Sequence, residues 1–389
     1  MRVAIVHQWL VLQGGAERVS EVLLGMFPEA DFFTLVMDES HLPEWIAGRS
    51  ITTSFLNKFP GARRFYRHLL PLYPLAVEQL DLTSYDLVIS ADSGPVKGVI
   101  TRPGAIHICY CHTPMRFLWD SYHSYLAAMP VFARLPFILS AHYVRNWEYV
   151  AAQRVTHFIA NSHYVARRIK QYYGRSSTVV HPPVDTKRGF IDSTPGDYYL
   201  AAGRMVQYKR IDILIRACNQ LGRRLLITGT GPEFKRLRAI AGPTIEFLGQ
   251  LSTDDLWKTY ARTRALLLAA DEDFGLVPLE TNACGRPVIA FGKGGALETV
   301  RALDQYPPPM GKPERSATGV FFMEQSPEAV VNAILKFEAA EDAFVPQAIQ
   351  EHARGFDTAI FVNKIRDFLE RATSCRLPSP EESDKCISV

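Results

Sequence analysis

Two apolar runs, Ala265-Leu-Leu-Leu-Ala-Ala270 and Pro287-Val-Ile-Ala-Phe291, flank a stretch that opens Asp271-Glu-Asp-Phe-Gly-Leu and continues as a short helical pattern. A crossover of that length joins parallel strands, so the segment is a βαβ unit. In open parallel sheets ligands bind beyond the carboxyl ends of the strands, which is where Glu272, Phe274, Gly275 and Leu276 are expected. Glu280 follows Glu272 by eight residues, a little over two turns if the stretch between them is helical, which would turn both carboxylates into one crevice. Two acceptor-only groups there suit a polyhydroxylated ligand.

The same alternation runs through the chain. The first half predicts strands near Val3–His7, Phe32–Val36, Asp86–Ser90, Ile106–Tyr110 and His157–Asn161, with helices over Ala16–Met26 and Tyr164–Tyr172. After Val180-His-Pro-Pro-Val-Asp185 it restarts at Tyr198–Ala202, Arg224–Thr228, Ile245–Leu248, Ala265–Ala270 and Val288–Phe291. Paired prolines continue neither a helix nor a strand, and 389 residues exceed one ordinary core. Two α/β domains are expected, 1–185 and 186–389, with a last helix over about 358–372 and a frayed tail from Leu377.

Composition narrows the class. An apolar share of 47% and a charged share of 21% are those of a globular protein. The N-terminus reads as a first strand and not a signal peptide, because no small-residue cleavage site follows it. The best candidate for a membrane span, Leu126 to Leu139, falls short of the ~20 residues required and contains Arg134. A cytoplasmic protein is expected. Six scattered cysteines, Cys109, Cys111, Cys218, Cys284, Cys375 and Cys386, have neither zinc nor disulfide-framework spacing and read as reduced thiols. Cys386-Ile-Ser-Val resembles a prenylation box only loosely.

The net charge of +3 lies wholly in the first half. Between Arg134 and Arg175 seven basic residues face Glu148 alone, and Lys58, Arg63, Arg64 and Arg67 form a second acid-free cluster. That cluster is interleaved with Phe55, Phe59, Phe65, Tyr66, Leu69, Leu70 and Tyr73, a composition that suits an anionic membrane surface or an amphiphilic substrate as well as a solvated face. Nucleic acid is a poorer partner, because the excess is small and no recognition motif appears.

Four further constellations could carry chemistry. Gly14-Gly15-Ala-Glu-Arg18 follows the first strand and opens a helix, where unobstructed amides make an anion site, though a plain tight turn explains it as well. Gly203-Arg204-Met-Val-Gln-Tyr-Lys209 follows another strand; a planar fork and a mobile ammonium there can clamp a diphosphate and neutralise a leaving phosphate. Gly229 and Gly231 end the next strand and allow close backbone approach to a ligand. In Cys109-Tyr-Cys-His112-Thr-Pro-Met-Arg116, the histidine can donate to a sugar hydroxyl or phosphate, or shuttle a proton. Gly292-Lys-Gly-Gly295-Ala-Leu-Glu298 offers room for a ligand, or simply loop punctuation. Asp271-Glu-Asp273 is formally an Asp-x-Asp metal-holding arrangement. Arg204 and Lys209 already supply positive charge, so a metal-independent site is favoured.

Taken together, Gly-Gly-Ala-Glu-Arg near the start, Gly-Arg-x4-Lys after the linker, and Glu-x7-Glu followed by Ala-Cys-Gly-Arg-Pro-Val-Ile-Ala resemble the family 4 glycosyltransferases of the GT-B fold. Tyr-Cys-His-Thr-Pro-Met-Arg and Leu-Pro-Leu-Tyr-Pro-Leu look like the bacterial mannosyltransferases of O-antigen and exopolysaccharide assembly. The resemblance implies two Rossmann-like domains facing a central cleft, with the acceptor mainly on the first, the sugar nucleotide on the second, and the last helix packing back on the first. It implies that Arg204 and Lys209 hold the diphosphate, Glu280 the ribose, and Glu272 with the Phe274-Gly275-Leu276 backbone the sugar. Gly14 and Gly15 would approach the diphosphate, and His112 the anomeric centre. Gly203 and Gly229 complete the expected donor-binding set. Retention of anomeric configuration is implied, with the leaving phosphate helping to take the acceptor proton. The expected reaction moves a hexose, mannose from GDP-mannose in the first instance, to a hydroxyl of a lipid-linked glycan, with no cofactor or metal and with peripheral contact at the inner membrane face. The alternative is a non-catalytic sugar-nucleotide sensor or scaffold on the same fold.

Overall fold

A computed structural model describes residues 1–11, 14–305 and 316–373; the side chain of Arg67, Cys375, Cys386 and the tail from Leu377 lie outside the described residues. The chain divides into two units, one formed by Met1–Pro182 together with the segment from Phe361 onward, the other by Pro183–Ile360.

The first unit is a seven-stranded sheet: β1 (Val3–Leu10), β2 (Asp31–Met37), β3 (Ile51–Thr53), β4 (Leu87–Asp92), β5 (Ile106–Cys111), β6 (His157–Ala160) and β7 (Ser177–Val179). They lie in the order β3-β2-β1-β4-β5-β6-β7, every pair parallel. A parallel sheet is covered on both faces, so its strands are apolar throughout, with alternate residues serving opposite sides. Val3 and Ile5 join one core with Leu23 and Leu24 of the helix Gly15–Met26; Ala4 and Val6 join another with Ala141 and Val144 of the helix Val131–Arg154. The helix Thr358–Thr373 presents Phe361, Ile365, Phe368 and Leu369, spaced as one helical face, to the first of these cores.

The second unit repeats the plan with β8 (Tyr198–Ala202), β9 (Arg224–Thr228), β10 (Ile245–Gly249), β11 (Leu266–Leu268), β12 (Val288–Phe291) and β13 (Gly319–Phe322), ordered β10-β9-β8-β11-β12-β13 and all parallel. Each sheet therefore winds outward in both directions from its first strand, the doubly wound arrangement of a Rossmann-like domain. At the boundary Val184 N donates to Phe356 O and Thr358 N to Val184 O, so the two connecting segments are stitched together by backbone.

The structure corrects one sequence expectation about surface. In the stretch Phe55–Tyr73, Tyr66, Leu70 and Tyr73 are buried in the core with Phe55 and Leu69 packed against them. Only Phe59 and Phe65 are large apolar residues left exposed, and Arg63 is paired with Asp38 at 2.9 Å. The aromatics are interleaved with arginines because short 3₁₀ turns and the four-residue helix Ala62–Phe65 rotate them inward. Four of the cysteines, Cys109, Cys111, Cys218 and Cys284, are buried thiols, and burial pushes those of Cys218 and Cys284 up to about 12.

Candidate functional site

In the second unit the strand order reverses between β8 and β11, which makes their carboxyl ends the crevice position of the sheet. β8 runs into Gly203 and β11 into Asp271. Gly203 and Gly229 have φ of +122° and +113°, conformations that side chains other than hydrogen rarely adopt. The reason is local: a Cβ on Gly229 would stand 2.2 Å from the Gly203 carbonyl oxygen, and one on Gly231 the same distance from that of Met205. Gly203 N donates to Thr228 O at 3.0 Å and Met205 N to Thr230 O at 2.8 Å. The two turns are pressed backbone to backbone, and this fixes the loop that carries Arg204 and Lys209. Arg210, which closes the loop, has φ of +51°, the one positive φ outside glycine among the described residues.

Lys209 and Glu272 form an ion pair across the reversal point, their side chains 15% and 18% exposed. Burial acts to lower the Lys209 ammonium, yet the facing Glu272 carboxylate and neighbouring Tyr208 outweigh it and move it above its ordinary value. Lys209 is therefore a cation at every physiological pH. Arg204 lies at the exposed start of the same loop.

Asp271–Phe274 is held from behind by the Gly292–Gly295 loop. Glu272 and Gly294 form a β-bridge, Gly295 N donates to Glu272 O at 2.8 Å, and Lys293 lies 3.1 Å from Asp271. A Cβ on Gly294 would meet the Glu272 carbonyl at 2.3 Å, and one on Gly295 the Phe274 Cα at 2.2 Å. The space beside Gly294 and Gly295 is filled by the protein's own backbone, which favours loop punctuation as the reading of Gly292–Gly295.

The spacing argument for the two glutamates also needs correction. The helix starts only at Leu276, because Gly275 at φ +102° breaks the backbone before it. Glu272 belongs to the bridged strap, and Glu280 to the helix Leu276–Ala283, so helical arithmetic does not relate them. Glu280 instead accepts from the Tyr260 hydroxyl at 3.0 Å. Burial, then the Glu280 charge, raises that hydroxyl well above its ordinary range, so it remains a donor and orients the carboxylate. Phe274 is buried against Val184 and Leu279. Among the described residues no group of three or more His, Cys, Asp or Glu side chains has metal-holding geometry.

The remaining expected residues lie in the first unit. Gly14 caps the helix Gly15–Met26 in extended conformation, with no side-chain cap. The Glu17 carboxylate turns back to 3.2 Å from where a Gly14 Cβ would stand, and reaches to 3.7 Å from His7 Nε2. An anion arriving at this helix start thus meets a carboxylate first. His112 follows β5, its amide donating to Asp92 O at 2.7 Å and its ring packed edge-on to Tyr110. Burial, assisted by nearby His7, depresses it to about 3, and its buried Nε2 has no hydrogen-bond partner. It is a neutral imidazole near pH 7, which favours a hydrogen-bonding role over a proton-shuttle one.

Sequence reasoning missed Tyr260 and a charged cluster at the end of β4. Lys97 is fully buried, 2.7 Å from Asp92 and 2.9 Å from Glu148, with a third bond to Gly94 O at 2.6 Å. Glu148 also accepts from Trp119 Nε1 at 2.8 Å and Tyr173 OH at 2.6 Å. The one signal available was Glu148 standing alone among seven basic residues.

Comparison with known proteins agrees with this layout. Residues 13–188 match the family described as Glycosyltransferase Family 4, and residues 186–355 that described as Glycosyl transferases group 1. A GDP-mannose-dependent monoacylated alpha-(1-6)-phosphatidylinositol monomannoside mannosyltransferase of Corynebacterium glutamicum is 35% identical over 36% of this chain and 45% of its own length. The alpha-1,3/1,6-mannosyltransferase ALG2 of Saccharomyces cerevisiae is 25% identical over 82% of this chain and 73% of its own. The matched stretch thus spans under half of the bacterial relative. Among solved structures, HepE of Anabaena in complex with UDP superposes with a TM-score of 0.66 at 16% identity over 95% of this chain and all of its own. Sucrose-phosphate synthase of Thermosynechococcus elongatus superposes at 0.69 and 16% over 96% and all of its own. With two family matches tiling residues 13 to 355 over a pair of doubly wound units, the chain belongs to the family 4 glycosyltransferases of the GT-B fold.

Proposed function

We propose that the protein transfers a hexose from a sugar nucleotide to a hydroxyl of a lipid-linked glycan, with GDP-mannose as donor and retention at the anomeric carbon. The observation that carries this reading is the Lys209–Glu272 pair straddling the reversal point of the second sheet. A cation that remains charged at any physiological pH is suited to a diphosphate and to the charge that grows on it as the glycosidic bond breaks. Arg204 is the second diphosphate ligand in this scheme. When the diphosphate takes over Lys209, Glu272 turns to the sugar hydroxyls together with the Phe274-Gly275-Leu276 backbone. Glu280, oriented by Tyr260, accepts from the ribose, and Gly203 and Gly229 hold the loop that brings the cations in. On the first unit, His112 is offered as a neutral hydrogen-bond partner, and Gly14–Gly15 as a phosphate-approach turn once Glu17 swings away. The leaving phosphate accepts the acceptor proton, and no metal takes part.

The preference for GDP-mannose is supported by the mannosyltransferases among its relatives, one of them named for GDP-mannose. The expected location is the cytoplasm with peripheral contact at the inner membrane face; among the described residues no helix is long and apolar enough to cross a membrane. The direct test is incubation with GDP-mannose, UDP-glucose and UDP-N-acetylglucosamine alongside a bacterial membrane extract, followed by product mass and anomeric NMR. Transfer of mannose with an α product supports the scheme. Binding of nucleotide without transfer or donor hydrolysis from any of the three would replace it with the sensor reading.

A further inference from the structure

Strand β11 is only three residues long, and its ladder to β12 ends at Leu268. Ala269 and Ala270 follow it, both buried, and lead directly into the Asp271–Phe274 strap. A buried carbonyl beyond the end of a ladder needs another donor. The Ala269 carbonyl finds one in a side chain: Gln325 Nε2 donates to it at 2.7 Å, from 56 residues further along the chain. A carbonyl can only accept, so the chemistry fixes which end of the Gln325 amide faces it.

Gln325 is itself held from both sides. It lies in the turn after the edge strand β13, between Phe322, whose carbonyl accepts from Gly292 N at 2.8 Å, and Ser326, whose hydroxyl caps the helix Pro327–Glu338. Val330, Ile334 and Phe337 anchor that helix in the core. To reach Ala269 the side chain passes the end of β12, which lies between β13 and β11 in the sheet. Gly292, at that end, leaves room for the turn: a Cβ there would stand 2.7 Å from Met323 Sδ. The strap therefore has two anchors, Gly294 and Gly295 on Glu272 itself and Gln325 on the strand end three residues before it. The groups assigned to the nucleotide are held elsewhere, Arg204 and Lys209 on the loop after β8 and Glu280 by Tyr260. We propose that Gln325 is a positioning residue for the donor sugar: by fixing the point at which the chain leaves β11, it sets the direction in which Glu272 meets the sugar and leaves the nucleotide contacts alone. The inference rests on the proposed role of Glu272 as a ligand of the sugar.

The test pairs two variants of the full chain. Gln325→Met keeps the length of the side chain and removes the donor; Gln325→Glu keeps its shape and sets a carboxylate against the Ala269 carbonyl. In hydrogen exchange without ligand, the amides of residues 269–274 are expected to exchange about tenfold faster in Q325M than in wild type, with those of β9 and the helix Pro327–Glu338 unchanged. In calorimetry, GDP should bind both variants within about twofold of wild type, while the ratio of GDP-mannose to GDP affinity falls by about tenfold, and further in Q325E. Turnover at saturating donor falls with it, by ~10-fold or more. UDP and UDP-glucose replace that pair if they are what wild type takes. Unchanged exchange over 269–274 overturns the proposal. So does an equal loss of affinity for nucleotide and sugar nucleotide, which would make Gln325 a support of the whole second unit. Failure of wild type to bind any sugar nucleotide is the separate outcome that overturns the transfer reaction; the exchange measurement, made without ligand, still decides whether Gln325 holds the strap.

Discussion

The two sheets share one strand order over six strands, and each places a lysine beside carboxylates at the ends of its central strands, yet the two lysines live in opposite conditions. Lys97 is sealed, touching Asp92, Glu148 and the Gly94 carbonyl, with no solvent contact. Lys209 is paired with Glu272 and keeps part of its side chain open. In each, burial opposes the charge and facing carboxylates overcome it, so both are held above the ordinary lysine value. What differs is exchangeability. A lysine with every bond satisfied inside the fold is structural, whereas one whose carboxylate can be replaced by a ligand's phosphate is available for chemistry.

The largest break in this comparison should come from Lys97→Met. Removing the cation leaves Asp92 and Glu148 buried and uncompensated, a loss of ~3–5 kcal/mol. Chemical denaturation followed through the tryptophans of the first unit would measure it, and a stability equal to wild type would mean that Lys97 does not hold those carboxylates. Lys209→Ala should leave melting nearly unchanged and lower donor turnover by ~10²-fold or more. If its melting falls as far as that of Lys97→Met, the distinction between the two lysines collapses.

Gly229→Ala tests whether the open lysine depends on its turn. A Cβ there meets the Gly203 carbonyl at 2.2 Å in a backbone conformation unsuited to alanine, so a cost of ~1–3 kcal/mol is expected. Nucleotide affinity by calorimetry should weaken with it, and unchanged affinity would detach Lys209 positioning from this contact. Acid separates the two units further. His107 and His112 in the first are each depressed by burial to about 3, and His352 in the second to about 4. Below the ordinary histidine value of 6.5 the unfolded chain takes up protons that the folded units refuse, so stability is full above pH 6.5 and falls as pH drops toward 3 to 4. With two such histidines, the first unit should lose protection faster in hydrogen exchange compared at about pH 6.5 and about pH 4.5; equal slopes would refute this. The smallest effect belongs to Lys293→Ala. Its side chain is 57% exposed at 3.1 Å from Asp271, so a change of ~0–1 kcal/mol in unfolding is expected, and a larger one would show that the strap depends on that pair.

What the sequence disclosed, and what it withheld, follows from the range of the interactions concerned. The long apolar runs β1, β2, β4, β5, β8, β9 and β12 were legible because a parallel strand is apolar on both faces. The three-residue β3 and β7 and the late β13 were not, since a short edge strand has too little pattern to stand out. Arg204, Lys209, Glu272 and Glu280 could be singled out because each follows a strand or glycine within one loop or turn. Tyr260 and the Asp92–Lys97–Glu148 cluster could not, because Glu280 lies 20 residues from Tyr260 and Glu148 lies 51 from Lys97, and burial of a lysine leaves no local mark even with Asp92 close by in sequence. The burial of Tyr66, Leu70 and Tyr73 was hidden for the same reason: composition showed aromatics between arginines, but only the turn geometry decides which of them point inward.

The helix Thr358–Thr373 places Phe361, Ile365, Phe368 and Leu369 in the core of the first unit, while residues 183–360 form the second. Seen along the growing chain, the second unit is an insertion within the first. During synthesis it is complete, and free to fold, before the last helix of its host has left the ribosome. The first unit meanwhile waits with an open apolar slot along Ile5, Ile89, Ile108 and Tyr110, the side that this helix closes. A chain truncated near residue 360 would therefore carry a finished second unit and an unfinished first, and the helix Thr358–Thr373 acts as the latch that ends assembly.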